Sequence, residues 1–554
     1  MAEPRLNDST LLRLCLGFAA LLLAAGLAAP LGLMLARAFQ DIDGNFVGLV
    51  HFRAYFGSPA LLLPAWNSLW TSAVTTAIVL PLAFTFAYGM TRSRLPGRAV
   101  FRAIMLIPIL APSLLPALSL IYLFGNQGLL RVLLPEGGSI YGPTGIIVAQ
   151  CIYTFPHAAM ILSVALGMAD ARLFEAAETL KAGHWRIFRD VTLPAARYGL
   201  VSASVVVFTL AVTDFGIPKV IGGQFPVLAT DVYRQVIGQQ NFSMGAVVAI
   251  ILLLPAIFGF FAERWAQRLQ AAGISGRAVL YRPKRRAARD LPLLAACLAI
   301  ALVLLSIVGM AIWGSLIRFW PYNMALTTAN YDFSSFDAQG WGSLWTSLTM
   351  AGLTALVGTP LVFWVAYLLE RGGVSGWLPG FVRVAAIAPL AVPGLVLGLA
   401  YILFFNHPAN PLGFIYGTVA ILVLNCVIHF YTVAHLTAVT AIRQLDPEFE
   451  AVGASLRVPR WRTFLRVIVP ISLPAILDIA VYLFVNAMAT VSAVVFLYGP
   501  DTKPASVAVV HMDEAGQVAS AAAMACVILA ITASAKLLQL GASRLLSGGW
   551  RPAH

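Results

Sequence analysis

Long apolar stretches recur along the whole chain and are separated by shorter polar segments. A membrane-spanning helix needs about 20 predominantly apolar residues, and windows of that length recur about twelve times. The windows lie near residues 12–36, 68–90, 99–123, 144–168, 198–220, 244–266, 291–316, 342–368, 383–405, 413–437, 474–498 and 517–541. The pattern predicts an all-α polytopic membrane protein with about twelve transmembrane helices.

The composition supports this prediction. Of the 554 residues 60% are hydrophobic and 11% are charged, and the mean hydropathy is +0.85, whereas about a quarter of the residues in a soluble domain are charged. The first window, 12–36, is too long for the apolar core of a cleavable signal peptide, so we predict that it is retained as the first span.

The basic residues indicate an orientation, because lysine and arginine are retained on the cytoplasmic side of a membrane. With the amino terminus inside, 29 of the 36 lysines and arginines fall in the inner segments and 7 in the outer loops. Both termini are therefore predicted to be cytoplasmic. The same distribution accounts for the net charge of +13 without nucleic acid, because the basic residues face an anionic lipid surface.

One polar loop occurs twice in the chain. Residues 174–194 (FEAAETLKAGHWRIFRDVTLP) and 450–470 (EAVGASLRVPRWRTFLRVIVP) match at a constant offset of 276, which aligns Trp185 with Trp461. In each copy an apolar residue recurs every three or four positions and a proline follows the helical run. The pattern predicts a short amphipathic helix, a turn and a second helix that lies against the membrane.

The duplication extends beyond these loops, since the sequence SLWTS at 68–72 recurs at 343–347. We predict a first six-span half over 1–272 and a second over 291–554, arranged as parallel repeats. A basic linker over 273–290 joins them and is expected to fix the topology and contact lipid. Its cationic residues are Arg277, Arg282, Lys284, Arg285, Arg286 and Arg289.

The repeated loop resembles the EAA motif of binding-protein-dependent ABC importer permeases. In that family a Glu-Ala-Ala sequence, a glycine a few residues later and a late Leu-Pro form the coupling helix that meets an ATPase. Glu175-Ala176-Ala177 and Leu193-Pro194 match the motif. The resemblance implies a type I importer fold for the two six-span repeats.

Both copies depart from the motif at its glycine. That position holds Lys181 in the first copy and Arg457 in the second, so Gly183 and Pro459 are alternative candidates for the turn.

The two copies also differ at the acidic position of the motif. Glu175 occupies it in the first copy, but Ala451 aligns with it in the second, and Glu450 precedes it by one residue. One residue is a rotation of about 100° on an α-helix, so the two loops are expected to be unequal. The resemblance assigns ATPase coupling to Glu175, Ala176, Ala177, Lys181, Gly183, Leu193, Pro194, Glu450, Ala451, Gly453, Arg457, Pro459 and Pro470.

An acidic residue near the end of the fifth apolar window is a candidate for the transport path. Asp214 lies in the sequence TDFGIP, where Gly216 and Pro218 are expected to break or kink the helix. An ionisable group in hydrocarbon is costly unless it faces a cavity, and broken helices often line transport paths. The alternative is that Asp214 only marks the end of the span and pairs with Lys219. The candidate path residues are Asp214, Phe215, Gly216, Thr490 and Ser492.

The sequence offers no catalytic motif. None of its five lysines is followed by serine or threonine, as a phosphate-binding Walker A loop requires, so ATP hydrolysis is expected in a separate subunit. His429 and His435 are six residues apart and do not share a helical face. The five cysteines form no CxxC pair and suit small apolar positions. Neither a metal nor a cofactor is expected.

The order of two segments, TDFGIPKVIGG and then LATDVYRQV, resembles the fused twelve-span permeases of 2-aminoethylphosphonate and ferric-iron importers, and the former more closely. The resemblance implies a multi-pass protein of a bacterial inner membrane that moves a small solute inward by alternating access. Its expected partners are a cytoplasmic ATPase dimer and a periplasmic solute-binding protein. The solute expected first is 2-aminoethylphosphonate, with ferric iron as the alternative.

A secondary transporter of the major facilitator kind is a further alternative, because it also has two parallel six-span halves. Its characteristic basic loop between spans two and three contains an aspartate, which the loop from Gly89 lacks. The duplicated loops between spans four and five also favour the importer permease.

Overall fold

The computed structural model describes residues 8–272, 281, 283, 285–456 and 458–548. Several residues singled out in the sequence lie outside these ranges, namely Arg277, Arg282, Lys284 and Arg457. The described chain is almost entirely helical. Its only strands there are β1 (Ile317–Phe319) and β2 (Asn323–Leu326), which pair antiparallel.

The helices are given in chain order, and the labels are used below. Those preceding the linker are α1 (Asp8–Leu23), α2 (Ala29–Arg37), α3 (Val50–Gly57), α4 (Pro59–Arg92), α5 (Arg98–Leu110), α6 (Leu114–Phe124), α7 (Pro143–Gly167), α8 (Ala171–Thr179), α9 (His184–Ile187), α10 (Leu193–Thr213), α11 (Gly216–Ile221), α12 (Leu228–Tyr233) and α13 (Phe242–Ala272). Those following it are α14 (Ala287–Ser315), α15 (Gly342–Arg371), α16 (Trp377–Ile387), α17 (Gly394–Phe405), α18 (Val419–His429), α19 (Tyr431–Arg443), α20 (Glu448–Ser455), α21 (Arg460–Thr463), α22 (Val469–Ile471), α23 (Leu473–Ala489), α24 (Ala505–Glu514) and α25 (Val518–Gly548). The described π-helical segments are Ala24–Ala28, Phe188–Thr192, Arg234–Gly238 and Phe464–Ile468.

Within the described chain, eight helical stretches are long and apolar enough to cross a membrane, and four more candidates are pairs of helices joined at a sharp bend. The prediction of an all-α polytopic membrane protein is therefore confirmed. The continuous candidates are Leu12–Arg37, Pro59–Arg92, Pro143–Gly167, His184–Thr213, Phe242–Leu269, Ala287–Ser315, Gly342–Arg371 and Val518–Leu545. The bent pairs are Arg98–Leu110 with Leu114–Phe124 (99°), Trp377–Ala391 with Gly394–Phe405 (114°), Val419–His429 with Tyr431–Arg443 (54°) and Arg460–Ile471 with Leu473–Ala489 (78°).

The chain divides into two compact units. The first-repeat unit contains Leu49–Phe336 and Val509–Cys526, and the second-repeat unit contains the described residues up to Gly48, Asp337–Ala508 and those from Val527 onward. The halves predicted from the sequence, 1–272 and 291–554, thus describe the repeat in the chain and differ from the packing units. The first span of each sequence half packs with helices of the other half.

Specific contacts hold these two spans in their units. In the second-repeat unit, the buried hydroxyl of Tyr401 donates to the carbonyl of Gly26, on the first span, at 2.7 Å. In the first-repeat unit, the hydroxyl of Ser119 donates to the carbonyl of Ile307, on α14, at 2.7 Å. Buried polar groups are costly when unpaired, so each bond favours this packing.

The structure also fixes the register of the repeat. The hydroxyl of Ser68 accepts from the backbone N–H of Leu228 at 2.8 Å, and that of Ser347 accepts from the N–H of Ala505 at 2.8 Å. Each serine therefore holds the first residue of a short helix, α12 or α24. Ser347 is therefore the structural equivalent of Ser68. The SLWTS match aligns Ser68 with Ser343 instead, which lies one helical turn earlier.

Candidate coupling loops

The two repeated loops, residues 174–194 and 450–470, are the candidate coupling loops, and both begin in the same way. The carboxylate of Asp170 accepts from the N–H of Arg172 at 3.1 Å at the start of α8, and that of Asp446 accepts from the N–H of Glu448 at 3.0 Å at the start of α20. An aspartate at this position satisfies N–H groups that have no partner inside the helix. In both loops a short second helix, α9 or α21, then continues through a π-helical segment.

The turn after α8 is made by Lys181. Its φ is +53°, a left-handed conformation that usually requires glycine, and the N–H of Ala182 donates to the carbonyl of Ala177 at 3.0 Å. A bond of this kind, from the second residue after the C-cap residue, closes many helix ends. Gly183 has an ordinary φ of −65°, so the alternative that Gly183 carries the turn is wrong, and Lys181 stands where the family has its glycine.

The second loop repeats the closing bond, because the N–H of Val458 donates to the carbonyl of Gly453 at 2.8 Å. Arg457, the sequence equivalent of Lys181, lies outside the described residues. Pro459 precedes α21 with an extended conformation, φ −64° and ψ 142°. A methyl group on Gly453 would lie 2.8 Å from Oγ1 of Thr463, so glycine allows the two helices of this loop to approach closely.

Each loop exposes the same two large apolar side chains. The exposed fractions are 82% for Leu180 and 70% for its equivalent Leu456, and 72% for Trp185 and 53% for its equivalent Trp461. Both loops thus present the same apolar side chains at equivalent positions. The motif positions Glu175, Ala176 and Ala451 are exposed on the same loops, and Ala177 is half-buried.

Glu450 faces the interior of its own unit. Its carboxylate oxygen Oε2 lies 3.7 Å from a guanidinium nitrogen of Arg371, and its side chain is 20% exposed. Glu175 is exposed. The acidic residues of the two loops therefore have different surroundings, one outward and one inward.

The prolines of the motif lie at helix starts. Leu193 and Pro194 begin α10, and Pro470 is in the first turn of α22. The first turn of a helix tolerates proline because its N–H groups have no intrahelical acceptor.

The described part of the linker contacts the first loop. A guanidinium nitrogen of Arg286 lies 3.3 Å from Oε1 of Glu178, and the other lies 2.6 Å from Nε2 of His184. The ring of Tyr281 packs on the ring of Phe174 with centroids 4.9 Å apart. These residues therefore pack against the first repeated loop, and contact of the linker with lipid stays a prediction.

The candidate path residue Asp214 lies between α10 and α11, directly after the last residue of α10. It is half-buried, and its carboxylate accepts from the N–H of Ile217 at 3.3 Å. Phe215 is 1% exposed and packs on Tyr233 with ring centroids 5.2 Å apart. A methyl group on Gly216 would lie 2.6 Å from Oγ of Ser113. Phe215 and Gly216 are therefore tightly packed, and Asp214 remains partly accessible.

The alternative pairing of Asp214 with Lys219 is wrong, since the ammonium group of Lys219 forms an ion pair with Glu514.

The corresponding candidates of the second repeat lie after α23. The carbonyl of Thr490 accepts from the hydroxyl of Ser506 at 2.5 Å. A methyl group on Gly394, at the start of α17, would lie 2.7 Å from Oγ of Ser492. Both candidates thus pack against neighbouring helices of their own unit.

Sequence reasoning missed Arg92 and Arg371, which end α4 and α15 and reach the coupling loops from within each unit. A signal was available, because their offset of 279 equals the offset between Pro81 and Pro360. No group of three or more histidine, cysteine, aspartate or glutamate side chains suited to a metal ion occurs among the described residues. His429 and His435 lie on either side of the bend between α18 and α19.

The chain is similar in sequence to several known proteins. It is 29% identical over 375 residues to a protein of Haemophilus influenzae that is proposed to be a ferric transport system permease, covering 66% of this chain and 58% of that protein. It is 27% identical over 406 residues to a ferric transport system permease protein of Actinobacillus pleuropneumoniae, covering 71% of this chain and 57% of that protein. A thiamine transport system permease protein of Haemophilus influenzae is 22% identical over 299 residues, or 52% of this chain and 53% of that protein.

The chain thus spans somewhat more than half the length of these relatives. The family model for the inner membrane component of binding-protein-dependent transport systems matches it twice, over residues 79–272 and 372–546. Each match contains one coupling loop and falls in one sequence half. The chain therefore belongs to the family of binding-protein-dependent transport system inner membrane components.

Proposed function

We propose that this chain is the fused permease of a bacterial ABC importer and that it moves ferric iron inward across the inner membrane. Separate cytoplasmic ATPase subunits dock on the two coupling loops and supply the energy by hydrolysing ATP. A periplasmic binding protein delivers the solute, and both termini of the chain lie in the cytoplasm.

The repeated loop is the observation that carries this proposal. Each copy is a capped helix that ends in the same closing bond, followed by a second helix that exposes one tryptophan. The exposed Leu180 and Leu456, with exposed fractions of 82% and 70%, suit insertion into an apolar groove of a partner. Two equivalent loops provide one docking surface for each subunit of an ATPase dimer.

The proposed solute is ferric iron because two of the relatives are named for ferric transport. This replaces 2-aminoethylphosphonate, the solute favoured by the order of sequence segments alone. The thiamine permease among the relatives indicates that the family carries chemically different solutes, so the assignment requires a direct test.

The test is uptake by proteoliposomes that contain the full chain, its ATPase and its binding protein. We expect ATP-dependent accumulation of radiolabelled ferric iron and none of labelled 2-aminoethylphosphonate. Accumulation of the phosphonate alone would contradict ferric iron as the solute but would still agree with an ABC importer. Equal uptake without ATP or the ATPase would contradict the importer itself and favour a secondary transporter.

A pair of substitutions tests the docking surface. Leu180→Asp and Leu456→Asp place a carboxylate where an apolar contact is proposed, and an unpaired charge in an interface costs several kcal/mol. We expect each to weaken ATPase association at least about tenfold, which corresponds to about 1.4 kcal/mol. Leu326→Asp is the matched control, because Leu326 is 71% exposed in β2, outside the loops. Unchanged association in both loop variants would contradict docking at these residues.

A further inference from the structure

Two arginines, one buried and one half-buried, occupy equivalent positions at the ends of the long helices α4 and α15. Arg92 is 3% exposed, and its guanidinium donates to the carbonyl of Leu166, in the last turn of α7, at 2.7 Å. Arg371 donates to the carbonyls of Ile442, in the last turn of α19, at 3.0 Å and of Leu445 at 2.6 Å. Each arginine thus joins the end of one helix to the end of another.

Each arginine also contacts the coupling helix of its unit. The Cζ atom of Arg92 lies 4.3 Å from the centroid of the Phe174 ring on α8. A guanidinium nitrogen of Arg371 lies 3.7 Å from Oε2 of Glu450 on α20. Phe174 and Glu450 are equivalent residues, because they are separated by the repeat offset of 276. The arginine therefore contacts the same position of the loop in both units, through a cation–π interaction in the first-repeat unit and through an ion pair in the second-repeat unit.

These contacts leave the coupling helix little freedom to move alone. Neither carboxylate oxygen of Glu450 has a hydrogen-bond partner in the described structure. The negative charge of Glu450 is therefore compensated by the positive charge of Arg371. Displacing α20 from α15 would leave a partly buried carboxylate and a guanidinium apart, which is unfavourable. In the first-repeat unit, Tyr281 of the linker covers Arg92 as well, with its ring centroid 4.6 Å from Cζ.

We propose that Arg92 and Arg371 are positioning residues that transmit the movement of each coupling loop to the membrane-spanning helix on which they lie. The proposal rests on the proposed function, because it takes the coupling loops as the docking surface of the ATPase. The same geometry occurs in both units with different chemistry at the loop position. The position of the guanidinium, rather than one particular bond, is therefore the shared feature.

The experiment uses the full chain with its ATPase, binding protein and solute in proteoliposomes. Variants Arg92→Ala and Arg371→Ala are compared with Arg443→Ala, whose side chain is 67% exposed and pairs with Glu370. Four quantities are measured for each, namely folded protein, ATPase association, ATP hydrolysis and solute uptake. We expect Arg92→Ala and Arg371→Ala to bind the ATPase within about twofold of the unchanged protein but to transport at least about tenfold less solute per ATP. Arg443→Ala should transport as much solute per ATP as the unchanged protein.

Exchange of the loop residue separates transmission from a purely structural role. Glu450→Phe gives the second-repeat unit the arrangement of the first and is expected to keep uptake per ATP within about threefold, whereas Glu450→Ala should lose it. If the alanine variants fail to fold, Arg92→Lys and Arg371→Lys replace them and should show the same loss of coupling.

Unchanged uptake per ATP in the variants of both arginines would overturn the proposal, as would an equal loss in Arg443→Ala. A folded Glu450→Phe variant that loses uptake per ATP as fully as Glu450→Ala would reduce Arg371 to a structural role and also overturn it. A complex of the unchanged chain that neither binds an ATPase nor transports would instead contradict the proposed function. The two failures are therefore distinguishable.

Discussion

Lys219 forms an ion pair with Glu514 in the first-repeat unit, with side chains 22% and 42% exposed. Its ammonium group also lies 4.7 Å from the centroid of the Tyr233 ring. The lysine nearest to Asp214 in sequence is thus engaged elsewhere. Asp214 is held by a backbone N–H and is half-buried, so it remains the strongest candidate for a charged group on the transport path.

We predict that Asp214→Asn lowers solute uptake at least about tenfold without loss of folded protein. The asparagine oxygen still accepts from the N–H of Ile217, so the start of α11 is preserved, while the charge is removed. Asp41→Asn is the control, because Asp41 accepts from the N–H of Asn45 at 2.8 Å in another loop and should not affect uptake. Normal uptake by Asp214→Asn would remove this residue from the path.

A second acid beside the Lys219 ion pair makes stability depend on pH. Burial and, to a smaller extent, the neighbouring Glu514 raise the pKa of Asp513 from 3.8 to about 7, while Lys219 lowers it. The folded protein then binds more protons than the unfolded chain between these values, so the free energy of unfolding decreases as pH rises from about 4 to about 7. The decrease in the free energy of unfolding that Asp513 causes is complete above about pH 7.

Asp513→Asn should therefore stabilise the protein more at pH 8 than at pH 5. Thermal unfolding in detergent across this range measures the effect, and Asp501→Asn, at an exposed loop position, should follow the unchanged protein. A gain that is equal at both pH values would show that the carboxyl group is not protonated preferentially in the folded state.

The left-handed turn of the first coupling loop gives a prediction about stability. Lys181→Gly should raise the free energy of unfolding by about 1 kcal/mol, because a side chain in this conformation is strained by about that amount. Gly183→Ala is the matched control. Its φ is −65° and a methyl group there meets no atom within 4 Å, so it should be close to neutral. Thermal unfolding measures the effect. A lower stability of Lys181→Gly would contradict a left-handed conformation of Lys181 in this turn.

The inward carboxylate of Glu450 predicts that the two loops respond differently to loss of their acids. Glu175→Ala should weaken ATPase association, because an exposed carboxylate on the docking face is removed and a basic partner on the ATPase loses its pair. Glu450→Ala should leave association nearly unchanged and lower uptake per ATP instead. Both are measured in the purified complex with binding protein and solute. Equal losses of association would contradict the asymmetry.

The apolar pattern was sufficient to predict about twelve spans but not their bends. The helix Pro143–Gly167 is continuous although it contains Pro156, whereas the bend between α18 and α19 falls at Phe430, without proline or glycine. Near that bend the hydroxyl of Thr432 donates to the carbonyl of Ala386 at 3.0 Å. Bends of this kind depend on contacts between segments far apart in the chain, which a local pattern does not contain.

The coupling loops were predictable because they repeat, and the motif identified Glu175, which is exposed. It did not identify the residue of the turn, because Gly183 was the candidate and Lys181 adopts the left-handed conformation. The internal contact between Arg371 and Glu450 was not predicted, because a motif aligns residues within a loop and gives no information on which helix packs behind it. The sequence also did not predict that the first span of each half packs with helices of the other half. That packing depends on contacts between distant segments, such as the hydrogen bond from Tyr401 to Gly26.

The central claim is that a separate ATPase docks on both coupling loops, and photo-crosslinking tests it most directly. A photoreactive amino acid is placed singly at Leu180, Leu456 or the control position Leu326 in the full chain, which is then assembled with its ATPase. We predict a crosslink to the ATPase from Leu180 and from Leu456 that changes in yield when ATP is bound, and none from Leu326. Absence of a crosslink from both loop positions in a complex that transports solute would contradict the claim.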